Sequence, residues 1–260
     1  MVAFLGMALW AAPEHYAKLQ PYETYVIKAA AAGQVLQARD EMEGRTGTGA
    51  VVVQIDDRVD RSQKAALEVT LKALRQTLKI TEAMEKNQEK VAERDRRYYE
   101  RVKNLKTKSR TEKDRIFSKM AASENQLLSL EEKMATLKRQ IADTKAQIFQ
   151  LEDRIGKKAV RAKGLYIYKV AVRPGDYVNP GTLLLKAMDL RKGRLVLYLD
   201  PEEVEGIEKK KIYLNGKPTG LKFEKVLKVT DETHISSYRA EIVLDHPEGL
   251  FSRLLKVEIR

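Results

Sequence analysis

The sequence predicts an α+β fold of elongated form, in which a long antiparallel coiled-coil hairpin is inserted into a small β-sandwich and followed by a small β-barrel. Three observations predict it. Two segments of nearly equal length carry seam residues spaced alternately three and four positions apart, as a coiled coil requires. One short basic break separates these arms. Sequence with the alternation and turn residues of β-strands flanks them on both sides.

The second arm has the clearer heptad pattern. Its seam residues are Met120, Ser123, Leu127, Leu130, Met134, Leu137, Ile141, Thr144, Ile148, Leu151 and Ile155. The seam of the first arm is apolar at both ends and polar in the middle; it runs through Leu67, Leu71, Leu74, Leu78, Thr81, Glu85, Gln88, Ala92, Asp95, Tyr99 and Val102. Two such arms in one chain most simply fold back on each other. Arms of about 45 residues would be about 70 Å long.

The turn between the arms is expected near residues 105–111. It contains neither Gly nor Pro, and Ser109 or Thr111 is a candidate N-cap for the second helix. Ser62 is a candidate N-cap for the first helix.

The β-type sequence falls into short segments before and after the hairpin. Before it, strands are expected at 22–28, 33–36 and 50–55; after it, at 165–172, 177–178, 182–187 and 195–199, with further short strands beyond residue 211. Asp200 is expected to cap a short helical connection. The predicted division is a leader at 1–21, a first sandwich half at 22–60, the hairpin at 61–158, a second half at 159–190 and a barrel at 191–260.

The net charge of +12 is concentrated in the hairpin. Residues 61–163 hold 27 Lys and Arg against 15 Asp and Glu, and the segment from Arg94 to Lys119 is the most basic. An anionic partner such as nucleic acid is one interpretation. The other is the solvated exterior that normally flanks a coiled-coil seam.

The N-terminal residues 1–13 form an apolar run ending in small residues. The run is too short to span a bilayer but is typical of a secretory signal, with cleavage expected after Ala11 or Ala12. No Lys or Arg precedes it, so a buried strand or helix is the alternative.

No pattern in the sequence indicates catalysis or metal binding. The three histidines, His15, His234 and His246, lack the spacing of a metal site. The chain has no cysteine, which excludes disulfides and thiolate ligands. Phosphate-binding, dinucleotide-binding and nucleophile-elbow motifs are absent, and capping and solvation are expected to explain the paired acids Asp56, Asp57 and Asp60 at an exposed strand end. A non-enzymatic protein without cofactors is therefore predicted.

The sequence resembles a known family in two respects: a β-type motif, and the separation of the two halves of that motif by the coiled-coil hairpin. The segment from Val172 to Leu185, with Pro174-Gly175-Asp176 and Asn179-Pro180-Gly181, is similar to the second half of a lipoyl (biotinyl-like) domain; residues 32–35 and 53–56 resemble the first half more loosely. Two lipoyl-like halves separated by a coiled-coil hairpin and followed by a barrel resemble periplasmic adaptor subunits, the membrane fusion proteins of the HlyD type.

This resemblance implies a function and partners. Such adaptors link an inner-membrane transporter to a TolC-type outer-membrane channel in efflux or export, in the periplasm of a Gram-negative bacterium, and self-associate into a ring (a hexamer or a trimer of dimers). The hairpin replaces the turn on which carrier domains display a modified lysine, so no lipoylation or biotinylation is implied.

The resemblance also implies contact residues at the hairpin tip. Arg101 and Leu105 have the spacing of the family's tip motif, and the segment from Ser109 to Asp114 resembles its serine segment, although the linker between Leu105 and Ser109 is shorter. Arg101 would bind channel carbonyls or carboxylates, Leu105 would insert in a groove, and Ser109 would contact backbone. The alternatives are a solvated arginine, a seam leucine and a helix cap.

Two other functions compete with the adaptor interpretation. A cytosolic basic coiled-coil protein could bind nucleic acid through its tip, although no nucleic-acid motif is present. A coiled-coil scaffold is the other possibility. Under the adaptor interpretation, no nucleic acid is expected as a partner.

Overall fold

The computed structural model describes residues 13–230, 234–247 and 249–260. The strands are β1 (Glu14–Lys18), β2 (Gln20–Lys28), β3 (Gly33–Ala38), β4 (Val51–Ile55), β5 (Ala159–Arg161), β6 (Tyr166–Val170), β7 (Tyr177–Val178), β8 (Leu183–Leu199), β9 (Ile212–Leu214), β10 (Lys217–Pro218), β11 (Phe223–Thr230), β12 (Tyr238–Asp245) and β13 (Leu254–Ile259). The helices are α1 (Arg58–Val102), α2 (Arg110–Lys158) and α3 (Pro201–Val204).

The chain divides into two compact units. The helical hairpin comprises Asp56–Lys158, and the β unit comprises the described residues up to Ile55 and from Ala159 onward. Helices α1 and α2 are therefore inserted between two stretches of one β unit, as the sequence predicts.

The first core of the β unit is built from both sides of the insertion. Val35, Val53 and Ile55 come from the segment before the hairpin, and Ile167 and Leu185 from the segment after it. All five are almost completely buried. Strand β4 pairs antiparallel with β5, and β3 pairs with β7. The two predicted sandwich halves thus share one core and one sheet.

Two glycine turns of the lipoyl-like motif hold the halves together. Gly175 donates its N–H to the carbonyl of Val35 at 2.8 Å, and Gly181 donates to the carbonyl of Ala29 at 2.8 Å. Both glycines have φ near +95° (99° and 94°), a conformation that favours glycine because a Cβ would be strained there. The motif therefore makes the contacts that close the interrupted sandwich.

The second core of the β unit is built from the sheet β1-β13-β9-β10 and from the sheet that contains β11-β12-β8-β2, whose strand β8 also contributes Leu185 to the first core. Its most buried residues are Leu19, Leu195, Leu199, Ile212, Ile242 and Val257. The predicted cap at Asp200 is confirmed, because Asp200 and Glu203 form a reciprocal capping box at the start of α3. This is the region predicted as a small barrel.

Strand β8 corrects the prediction of separate strands at 182–187 and 195–199, because it runs without a break from Leu183 to Leu199. Between the two apolar stretches Asp189 binds Arg191 at 2.6 Å, and the backbone stays extended. Gly193 fits this strand because an added Cβ would lie 2.9 Å from both Leu19 and Pro247. The predicted domain boundary at residue 190 falls inside β8.

The N-terminal prediction also needs correction. Residues 1–12 of the predicted leader lie outside the described residues, but β1 lies within its expected range of 1–21 and pairs antiparallel with β13. Residues from Glu14 onward therefore belong to the β unit.

Helix α1 begins four residues earlier than Ser62, so the prediction of a Ser62 cap is wrong. The side chain of Asp56 accepts the backbone N–H of Arg58 at 3.0 Å, and Asp57 occupies the N-cap position. Arg58 also binds the Asp56 carboxylate and lowers its pKa to about 2. Asp56 thus caps the start of α1, as expected for the acids at the end of β4.

Candidate partner-contact surface at the hairpin tip

The tip is positioned by a seam that the heptad pattern predicted. Every predicted seam residue of both helices is buried or half-buried. The polar middle of the α1 seam is accommodated by local bonds: Gln88 donates from Nε2 to the carbonyl of Ser123 at 2.9 Å, and Asp95 binds Arg94 at 3.0 Å. At 1.5 Å per residue, the 45 residues of α1 and the 49 of α2 span about 68 and 74 Å.

The connection between the helices comprises residues 103–109, slightly earlier than the predicted 105–111. Lys103 and Leu105 donate backbone N–H groups to Tyr99 and Val102 at 2.9 and 3.0 Å, which closes the end of α1. Ser109 caps α2, because its Oγ accepts the N–H of Glu112 at 3.2 Å and its carbonyl accepts the N–H of Lys113 at 3.1 Å. The expectation that Ser109 is a cap is thus confirmed.

The three predicted contact residues all lie at this end of the hairpin. Arg101 is in the last turn of α1 and exposed, Leu105 is in the connection with 45% of its surface exposed, and Ser109 is exposed immediately before α2. Leu105 is therefore not a seam residue. The Oγ of Ser109 accepts the capping bond, so its hydroxyl hydrogen can still be donated to a partner.

The cations of the tip divide into paired and unpaired groups. Six of the eleven Lys and Arg residues between Arg94 and Lys119 have a carboxylate within 4.0 Å. Glu112, for example, forms a hydrogen bond with Lys108 and raises the pKa of that ammonium. The other five form no ion pair with any residue that the structure describes; they are Arg101, Lys106, Arg110, Lys113 and Arg115.

An aromatic pair beside the connection was not predicted as part of the site. The rings of Tyr99 and Phe117 meet with centroids 5.4 Å apart and planes at 56°. Together with Lys103, Arg110, Lys113 and Asp114 they line an open cleft of about 310 Å³. Phe117 follows the buried Ile116 and is itself half exposed. In the sequence, this pair could have been recognised from Phe117, because it is an aromatic residue just outside the heptad positions of the seam.

At the base of the hairpin, in contrast to the tip, charged residues are buried and paired with one another. Asp60 is only 5% exposed, and its carboxylate binds Lys158 at 2.6 Å and Arg154 at 3.3 Å. Lys158, 9% exposed, also donates to the carbonyl of Asp56 at 2.8 Å. The prediction that Asp60 is a solvated acid is therefore wrong: it is the acceptor of a buried ion network joining α1 to α2.

The histidines and acids of the described residues make local contacts. No three His, Asp or Glu side chains among them come together as a metal site. His15 binds Glu203 at 2.8 Å, and His234 stacks on Tyr198 with ring centroids 3.8 Å apart. None of the helices within the described ranges combines the length and apolarity that a bilayer crossing needs. The tip can bind acidic and apolar surfaces through free cations, Leu105 and the aromatic pair.

Comparison with known proteins identifies the fold. No family model matches the sequence, and no curated protein matches it significantly. Among solved structures, MacA from Actinobacillus actinomycetemcomitans matches with a TM-score of 0.72 and 14% identity, over 96% of this chain and 79% of that one.

Two further structures have the same fold. A MacA-MexA chimera containing the Pseudomonas aeruginosa MexA α-hairpin domain matches with a TM-score of 0.62 and 15% identity, over 96% and 79% of the two chains. The membrane fusion protein Spr0693 from Streptococcus pneumoniae R6 matches with a TM-score of 0.62 and 8% identity, over 96% and 99%. The resemblance predicted from the interrupted lipoyl-like motif is thus confirmed at the level of the fold.

Proposed function

We propose that this protein is a non-enzymatic periplasmic adaptor that links an inner-membrane transporter to a TolC-type outer-membrane channel in efflux or export. One observation carries the proposal: a hairpin of about 70 Å is inserted between two paired strands of one β unit and ends in unpaired cations. Such a hairpin separates its tip, along the helices, by about 70 Å from the residues at which it joins the β unit. The shared fold with a membrane fusion protein supports the same function.

The tip residues have separate roles in this proposal. Arg101 is free of intramolecular ion pairs among the described residues and binds carbonyl or carboxylate oxygens of the channel. Leu105 places its exposed side chain in an apolar groove of the channel. Ser109 keeps its capping bond and donates its hydroxyl hydrogen to channel backbone.

Several copies are needed to form a conduit, because one hairpin cannot enclose a channel. We propose a closed ring, a hexamer or a trimer of dimers, formed by head-to-tail contacts between copies. The protein would act in the periplasm at the inner membrane, and its energy would come from the transporter.

The test is charge reversal at the tip with matched controls in the same hairpin. Arg101→Asp and Leu105→Asp should abolish export and co-purification of the outer-membrane channel, while expression and helical content stay at wild-type levels. Arg75→Asp and Val69→Asp are the controls, since both replace exposed α1 residues far from the tip. Unchanged export in both tip variants would contradict the proposal.

The basic tip beside an aromatic pair also favours one second candidate, a cytosolic protein that binds nucleic acid. That function predicts affinity for single-stranded DNA that falls steeply with salt, and recovery in the cytosol. Cell fractionation separates the two functions, because the adaptor should be recovered with the periplasm or the inner membrane.

A further inference from the structure

Helix α1 carries a second stripe of uncharged residues outside the seam. With seam residues at heptad positions a and d, the residues at c and g from Val59 to Val91 contain no charge. We call these residues the α1 stripe: Val59, Gln63, Ala66, Thr70, Ala73, Thr77, Ile80, Met84, Asn87 and Val91. All but Val91 are exposed. At positions b and e over the same span, every residue except Ala65 is charged.

Helix α2 carries a matching stripe at heptad position b. Six successive heptads hold only small or apolar residues there, which we call the α2 stripe: Ala121, Leu128, Ala135, Ala142, Phe149 and Gly156. Leu128 is 59% exposed and Phe149 71% exposed. The adjacent e positions are charged from Glu124 to Glu152. Neither stripe contributes to the seam between α1 and α2.

The two stripes lie on opposite flanks of the hairpin. The ion pair of Arg96 and Glu124, at 3.8 Å, joins e positions of both helices on one flank. On the other flank, g positions of α2 reach d positions of α1, as Lys119 does to Asp95 at 3.7 Å. Position b adjoins e and position c adjoins g on a helix. The α2 stripe therefore lies on the e flank and the α1 stripe on the g flank.

The residues of the two stripes also match one another in their height along the hairpin and in the size of their side chains. The residue numbers joined by contacts across the hairpin add up to between 211, for Gln88 with Ser123, and 220, for Arg96 with Glu124, so residues whose numbers add up to about 215 lie at roughly equal heights. At equal heights this register places the following pairs: Val59 and Gly156, Ala66 and Phe149, Ala73 and Ala142, Ile80 and Ala135, Asn87 and Leu128. A large residue on one flank mostly corresponds to a small residue on the other, and a Cβ at Gly156 would have no atom of the described residues within 4 Å apart from its own helical turn.

We propose that the α1 stripe of one copy packs against the α2 stripe of a second copy of this chain, with the two hairpins side by side and pointing the same way. This contact is heterologous, and repeating it around an axis closes a ring. A closed ring has no shift along its axis, so residues of equal height meet. The inference rests on the proposed ring and assigns the helical surface that forms it.

The area is sufficient for a specific contact. The α1 stripe spans about 50 Å and a helix is about 10 Å wide, which gives about 500 Å² on each copy. The total of about 1,000 Å² reaches the lower size of specific protein interfaces. Beyond Val91 the c positions of α1 become charged, at Arg94 and Arg101. The lateral contact thus ends where the basic tip begins.

Cysteine cross-linking tests the proposal directly, because the full chain has no cysteine of its own. In Ala73→Cys/Ala142→Cys the two thiols lie on opposite flanks of one hairpin and cannot meet within it. Oxidation should give a ladder of covalent oligomers. Gln76→Cys/Ala142→Cys is the control, since Gln76 at position f points away from both flanks, and it should give no ladder. Absence of a ladder above this control overturns the inference.

A charge variant provides an independent measurement. Ala142→Glu should lose the oligomer seen for the wild-type chain by sedimentation, whereas Ala83→Glu, exposed at position f, should keep it. Unchanged oligomers in Ala142→Glu contradict the inference but leave the proposed function standing, because the β units alone would then form the ring. A wild-type chain that is monomeric at every concentration contradicts both the stripe contact and the ring.

Discussion

The base and the tip of the hairpin use the same residue types for opposite purposes. At the base, Lys158 and Arg154 both bind the buried Asp60, so the cations join α1 to α2. At the tip, five cations form no ion pair within the described residues, and Leu105 is exposed beside them. A charged residue therefore stabilises the hairpin where its partner lies in the same chain, and is available for a second protein where it does not.

The largest expected effect is at the base. Asp60→Ala leaves Lys158 buried without its carboxylate, and breaking a buried pair from one side costs about 3–5 kcal/mol of the free energy of unfolding. Urea unfolding followed by circular dichroism at the helix band measures this cost. Asp153→Ala is the control, because it removes an exposed pair with Lys157 and should change stability by less than about 1 kcal/mol. Equal effects would show that the base network is not structural.

The middle of the seam should give an effect of intermediate size. Leu137→Ala removes a buried side chain from α2 and should cost about 2–3 kcal/mol, at the low end for a core leucine since a two-helix seam can partly collapse. Leu128→Ala, in the same helix but exposed, is the control. Its effect should stay below about 0.5 kcal/mol at concentrations where the chain is monomeric. If Leu128→Ala were the more costly change, the assigned seam would be incorrect.

The helix cap at Ser109 should contribute less to the free energy of unfolding than the base network or the seam. Ser109→Ala removes the acceptor for the N–H of Glu112 and should cost about 1 kcal/mol. Ser109→Asp keeps an acceptor at the N-cap and should retain stability, but it adds a negative charge to the proposed contact surface. Thermal unfolding together with channel co-purification separates the roles. If both variants bind the channel normally, Ser109 is a cap only.

The tip cations should have the smallest effect on folding. Arg101→Asp and Lys106→Asp break no ion pair among the described residues, so each should change the free energy of unfolding by less than about 1 kcal/mol, the larger cost falling on Arg101→Asp because it places an acid in the last turn of α1. Their effect is expected in partner binding instead. A destabilisation comparable to that of Asp60→Ala would contradict the division between base and tip.

The sequence predicted the periodic features and missed the specific pairs. The seam of both helices follows from heptad spacing alone, including its polar members Gln88 and Asp95. Periodicity states which face of a helix is covered but not which side chain lies opposite, so the burial of Asp60 against Lys158, 98 positions away, could not be derived. For the same reason, the contact between the rings of Tyr99 and Phe117 could not be derived from the sequence.

Strand and helix boundaries were missed for local reasons. The start of α1 at Arg58 depends on the Asp56 side chain accepting a backbone N–H. Asp and Ser are equally favourable capping residues, so residue type alone could not decide between this start and one at Ser62. Strand β8 passes close to Leu19 at Gly193, and this contact between distant parts of the chain is not visible in a local pattern. The lipoyl-like motif was informative because its glycines are required by backbone conformation.

The most direct test of the account is photo-cross-linking from the tip in intact cells. A photoreactive amino acid at Leu105 should yield a covalent adduct with an outer-membrane channel protein, whereas the same group at Lys79, exposed on α1 far from the tip, should not. If Leu105 instead gave adducts with nucleic acid, or the same products as Lys79, the tip would not be the contact surface of an export adaptor.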